Sequence, residues 1–200
     1  MKPILFNTEM IRAILEGRKT VTRRVIKPRY RDDEDGWTVC INSYTHLVDD
    51  VAYTDGDGAC TRSMKPPYQV GDILYVRETW REYNGKYFFK ANEPKEYDDY
   101  KTNPKWKPSI HMPKEAARIF LRVTNVRVER LQDITPKQAG NEGVLWETDN
   151  SGQFRRWRFH ELWDSTINKK DLDEYGWNAN PWVWVIEFER FEKGGENVQK

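Results

Sequence analysis

Cysteine is scarce in this 200-residue sequence: Cys40 and Cys60 are the only two. That excludes a disulfide-stapled scaffold and leads us to expect two reduced thiols in a cytoplasmic protein. The opening residues MKPILFNTEM lack the apolar run and small-residue cleavage site of a signal peptide, in line with that expectation. Long apolar runs are also missing. No window reaches the length needed to cross a bilayer, so a soluble chain without a membrane partner is expected. Charge of one sign is missing too, since the formal net charge is +1 although 32% of residues are charged. Such mixing sets up no long-range field, and any site for a polyanion must be a local patch. The three histidines form no catalytic pattern. Cys40, His46 and Cys60 lack the close paired spacing of a structural zinc site, so no metal or cofactor is expected.

Aromatic rings are plentiful. Nine Trp, ten Tyr and eight Phe offset an apolar fraction of only 38%, and because each ring buries a large area they should build much of the core. The length suits one domain, taken as 1–193 with insertions at about 25–68 and 84–110 and a disordered tail over 194–200.

Pro3 to Phe6 reads as a short strand. Asn7 or Thr8 then caps a helix whose Ile11, Ile14 and Leu15 follow the i, i+3, i+4 spacing, and Gly17 stops it. A hairpin is expected around Trp37 to Ile41 and Leu47 to Tyr53. Ile73 to Trp80 reads as a buried strand in which Arg77 and Glu78 face opposite ways, and Tyr87 to Lys90 as another short one. Trp106 to Pro113 is a stiff polar loop holding Lys107, Ser109 and His111 between prolines, a segment suited to presenting groups to a ligand. Arg118 to Leu131 carries the strongest strand pattern, interrupted at Asn125 where a bend or bulge is expected. Thr135 and Pro136 start a short helix that should reach about Asn141, leaving Glu142 at its end, where a carboxylate is electrostatically unfavourable. Phe154 to Ile167 reads as an amphipathic helix using Phe159, Leu162 and Trp163, with Arg155, Arg156 and Arg158 on its other side. Trp182 to Phe188 forms a final strand.

The densest chemistry lies in Gly17-Arg18-Lys19-Thr20-Val21-Thr22-Arg23-Arg24, four cations and two hydroxyls in eight residues. From Arg18 to Arg31 there are seven Lys or Arg residues and no acid, before Asp32, Asp33, Glu34 and Asp35 reverse the sign.

A helix ending in Gly-x-Lys-x-x-Thr-x-Arg (Gly17, Lys19, Thr22, Arg24), a Gly71-Asp72 turn into a strand, a long bent strand, a short helix carrying Glu142 and an aromatic-rich last strand ending in Ile-Glu-Phe together resemble the ASCH domain family. The matching segments cover roughly half of the chain. The long segments at 25–68, 84–110 and 147–153 resemble enlarged members found in phage and prophage genomes. The resemblance implies an α+β fold, a PUA-like small β-barrel with flanking helices and long insertions. It also implies an RNA or modified-nucleoside partner. Some compact members are amidohydrolases that deacetylate N4-acetylcytidine with Lys, Thr and Glu at the positions of Lys19, Thr22 and Glu142; a non-catalytic RNA-binding module or a nuclease is the alternative.

Amide cleavage needs a nucleophile, a base and a group to stabilise the oxyanion. A Thr hydroxyl needs a base, and Lys19 can serve only when neutral, a state favoured by burial and by Arg18, Arg23 and Arg24. Lys19 and Thr22 are three apart, so they are neighbours in a helical turn but face opposite ways in a strand. The hydrolase reading therefore requires a turn here. The expected pocket is lined by residues 17–24, the strand bearing Arg77 and Glu78, the 107–111 loop and Glu142. In the binding-module reading Arg24, Arg23 and Lys19 are expected on phosphate, with an exposed ring such as Trp80 or Trp106 stacking on a base.

Overall fold

Strands from both ends of the chain meet in one sheet. The computed structural model describes residues 1–27, 38–41, 51–54, 60–93, 105–144 and 152–192. The chain opens with β1 (Lys2–Leu5), α1 (Thr8–Leu15) and β2 (Val21–Val25). Next come β3 (Thr38–Ile41), β4 (Val51–Thr54) and β5 (Cys60–Met64), which pair with one another as a separate antiparallel sheet. The expected hairpin is there in β3 and β4; Trp37 and residues 47–50 lie outside the described residues, as do the side chains of Cys40, His46 and Cys60 and the tail 194–200.

The run from Ile73 is not one strand. It divides into β6 (Ile73–Arg77) and β7 (Trp80–Tyr83), which pairs with β8 (Lys86–Phe89) as a two-stranded hairpin. At the break the Glu78 backbone N–H donates to the Met112 sulfur at 3.2 Å, which takes the chain out of the main sheet. β9 (Phe120–Arg130), α2 (Pro136–Asn141), α3 (Gly152–Thr166), α4 (Leu172–Tyr175) and β10 (Trp182–Arg190) complete the fold.

The main sheet has the order β1-β6-β9-β10-β2, with β1 parallel to β6 and the other pairs antiparallel. Opposite the Glu187 to Phe188 step, pairing jumps from Asn125 to Val123, so Thr124 is the extra residue of a bulge one position from the expected break. β10 is apolar almost throughout because both of its faces are covered. Val183 and Val185 pack with Val21, Phe159 and Trp163 on one face, and Trp184, Ile186 and Phe188 join Ile11 and Ile14 of α1 on the other. The arginines read onto the outer side of α3 are not equivalent: Arg158 is exposed, whereas Arg156 is half-buried and donates to the Gln132 carbonyl at 2.8 Å.

The fold is mixed α/β, but the expected closed barrel is not formed: β1 and β2 are the two edges of the main sheet, and no backbone pairing joins them. The sheet curls far enough that a single side chain spans the gap, the Arg24 guanidinium of β2 donating to the Leu5 carbonyl of β1 at 2.8 Å. No helix among the described residues is long and apolar enough to cross a membrane.

Candidate functional site at the sheet seam

The basic stretch is positioned by the helix that precedes it. Asn7 caps α1 by accepting the Met10 N–H at 2.9 Å. Gly17 then takes φ +75°, and the amides of Arg18 and Lys19 both return to the Ala13 carbonyl. From there the chain is extended rather than turned. Lys19 bridges Glu142, the Thr20 N–H donates to the Asn141 carbonyl, and Thr22 to Arg24 lie within β2. The helical turn that would make Lys19 and Thr22 neighbours is not formed. Thr22 and Arg24 pair with Ile186 and Trp184 on the α1 side of the sheet, while Arg23 shares the face of Val21 toward α3. β2 is an edge strand, however, so both of its faces are reachable from the seam.

Glu142 arrives from the other direction. Thr135 caps α2 in a reciprocal box with Gln138, and Pro136 opens the first turn. Gly143, at φ +90°, lets the end of the helix press onto Lys19: a Cβ there would lie 2.7 Å from Ala13 Cβ and 3.1 Å from Lys19 Cβ. The misplaced carboxylate is thereby explained. Lys19 Nζ donates to the Glu142 backbone carbonyl at 2.9 Å, to its Oε2 at 2.6 Å and to the Val21 carbonyl at 2.8 Å, so one cation satisfies both the helix end and the acid.

These groups lie deep. The Lys19 and Arg23 side chains are fully buried and Glu142 is 3% exposed. Arg23 donates to Glu142 Oε1 at 3.1 Å and to Glu129 Oε2 at 3.0 Å, while its Nε has no partner. Glu129 continues outward to Arg127 and then to Glu187. Burial pushes the Lys19 ammonium below its ordinary value; Glu142 pulls it back, and Arg24 and Arg23 push it further down. Its three acceptors match the three N–H bonds of an ammonium, so no lone pair is left over to act as a base. Burial likewise lowers Arg24, against the pull of Tyr68 and Glu142. Arg24 lies 5.5 Å from the Phe6 ring centroid and has no carboxylate partner among the described residues. Three cations, Lys19, Arg23 and Arg24, thus meet two carboxylates, Glu142 and Glu129, and the seam carries one positive charge in surplus.

A partly enclosed cavity of about 130 Å³ opens in the seam, lined by Thr22, Arg23, Arg24 and Glu142 together with Phe6 and Trp163 among its apolar walls. Thr22 is one of its walls, and its hydroxyl makes no hydrogen bond among the described residues. A wider outer cavity of about 360 Å³ adjoins it, and Met10, Leu162 and Glu142 line both.

The other residues expected at the pocket are elsewhere. Glu78, 1% exposed, is held by both arms of Arg118 at 2.9 Å. Trp80 is 5% exposed and packs with Met112 and Ala116, so it is no free stacking surface. Lys107 bridges the Trp80 backbone and sits 4.6 Å from its ring centroid. Trp106 is half-buried, covered by Arg81 at 4.2 Å. Arg77 lies beside Tyr75, Ser109 is half-buried, and His111 is exposed. None of these lines the seam cavity. Sequence reasoning missed the wall formed by Phe6, Phe159 and Trp163, and also the partner Glu129. Arg127 and Glu129 alternate with Val126 and Val128 in β9, the pattern of a strand with one covered and one solvated face, so the sequence carried no signal for that partner. Comparison of the chain with protein-family models, curated proteins and solved structures finds no match.

Proposed function

We propose that this chain is an ASCH-type domain of the PUA-like superfamily that binds an RNA or a modified nucleoside, and that the seam cavity hydrolyses the acyl amide of N4-acetylcytidine. The observation that carries the reading is that Thr22, Arg24 and Glu142 line one cavity. Its volume is close to that of engineered cavities of about 150 Å³ that admit a benzene ring, so a single ring or an acyl group fits. Thr22 Oγ attacks the amide carbonyl and passes its proton to the Glu142 carboxylate, while the oxyanion faces the Arg24 guanidinium. Collapse breaks the C–N bond, and the leaving N4 amine takes the proton from Glu142. Water then hydrolyses the Thr22 ester to release acetate. Lys19, expected from the resemblance as the base, is instead assigned to hold Glu142 in place, because all of its N–H bonds are committed.

Incubation with N4-acetylcytidine, followed by chromatography, should yield cytidine, and Thr22→Ala and Glu142→Gln should abolish that yield while the proteins stay folded by circular dichroism. No turnover by the folded wild type would sink the hydrolase reading. Arg24 also favours a second reading, a non-catalytic RNA-binding module, since it is the one cation of the three without a carboxylate partner among the described residues. Arg24→Ala should then weaken a short RNA and flatten the salt dependence of binding, because each phosphate contact releases counterions.

A further inference from the structure

Helix α3 gives the inner cavity Phe159, Leu162 and Trp163, and leaves a different face in solvent. On that face Trp157 is 48% exposed. The Phe154 ring lies 5.6 Å from it, tilted by 31°, and the Arg158 guanidinium sits 5.5 Å from both ring centroids. A lone exposed ring would need no explanation. Here the ring is paired with a second ring and a cation, and Arg158 also lines the outer cavity, as does Arg18. Glu142 is a wall of both cavities, and Arg158, the neighbour of Trp157 in sequence, is a wall of the outer one. Arg158 is available to a ligand: its ion pair with Glu161 is 3.4 Å long and half-exposed at both ends, the kind that contributes little. Arg18 is more engaged, with Glu16 and with the Gly143 carbonyl at 2.8 Å.

We propose that the ligand is a single-stranded polynucleotide rather than a free nucleoside, with the target nucleotide in the outer cavity, a flanking base stacked on Trp157 and the intervening phosphate on Arg158. This rests on the nucleoside reading of the seam and extends it to residues outside both cavities. Sequence-tolerant stacking on an exposed ring, with a cation tracking the backbone, is the chemistry by which single strands are held.

The test is fluorescence anisotropy of a labelled ten-nucleotide RNA containing cytidine, titrated with wild type, Trp157→Ala, Trp157→Phe and Arg158→Gln, with melting temperatures showing all four equally folded. Trp157→Ala should weaken binding by about 5- to 100-fold, the loss of one stacked base, and Trp157→Phe should recover most of it. Arg158→Gln should lower the slope of log affinity against log salt by about 0.7. Equal affinity in wild type and Trp157→Ala, or equal loss in the Ala and Phe variants, overturns the platform. If N4-acetylcytidine is turned over but the RNA does not bind even at low salt, the polynucleotide inference falls and the nucleoside reading stands. Binding through Trp157 without any turnover supports the inference and sinks the hydrolysis; neither binding nor turnover sinks both.

Discussion

Among the described residues two carboxylates are buried to nearly the same depth, Glu142 at 3% exposed and Glu78 at 1%, and each has an arginine. Glu78 is closed off. Its two oxygens accept both arms of Arg118, one cation answers one anion, and neither residue lines the seam cavity. Both oxygens of Glu142 are held as well, by Lys19 and Arg23, but this residue lines open volume. It borders two cavities, its neighbourhood holds more cations than anions, and Thr22 and an Arg24 without a carboxylate partner among the described residues line the inner one. The two ion pairs thus differ in what lies beside them rather than in how deeply they are buried.

The sharpest way to break this comparison is to remove the cation under Glu142. Lys19→Met leaves a buried carboxylate with Arg23 as its remaining cation and should cost about 3–5 kcal/mol, read from the urea midpoint; a loss below about 1 kcal/mol would mean that the seam relaxes around the acid. Gly143→Ala should follow at roughly 1–3 kcal/mol, since φ +90° suits glycine and the added Cβ would meet Ala13 at 2.7 Å. Glu78→Gln should cost a similar or smaller amount, about 1–3 kcal/mol, by leaving Arg118 half-satisfied, with no effect on turnover of N4-acetylcytidine; lost turnover in a folded Glu78→Gln protein would return that cluster to the site. The smallest effect is in pH dependence. Because burial lowers the Lys19 value from the ordinary 10.5, the unfolded chain holds that proton through the window just below 10.5 while the folded chain releases it. Stability of wild type relative to Lys19→Met should therefore rise with pH through that alkaline window, measured by paired urea titrations. A falling difference would reverse the sign assigned to burial.

Features written in short stretches of chain were legible. The Asn7 cap, the Gly17 stop and the Thr135-Pro136 start appear as read, because each depends on hydrogen bonds spanning only a few residues. The break in β9 was visible within one residue as a lapse in alternation. Two expectations failed where distant chain decides. The run from Ile73 to Trp80 is apolar enough for one strand, yet Met112 captures the Glu78 amide and divides it. Lys19 and Thr22 were expected side by side in a turn, but pairing with β10 extends the stretch, and Thr22 lines the seam cavity while Lys19 lines neither cavity.

By itself the sequence determined the caps and stops of α1 and α2, the cation-rich stretch after α1 and the presence of an acid at the end of α2, since these follow from local capping and composition. Only the tertiary structure decided that β1 and β2 would be the unpaired edges, that Glu142 would reach Lys19 across 123 positions, and that Glu78 would be closed off by Arg118. Those outcomes depend on which strand pairs with which and on what covers each face, quantities set by burial summed over the whole sheet rather than by any one stretch of it.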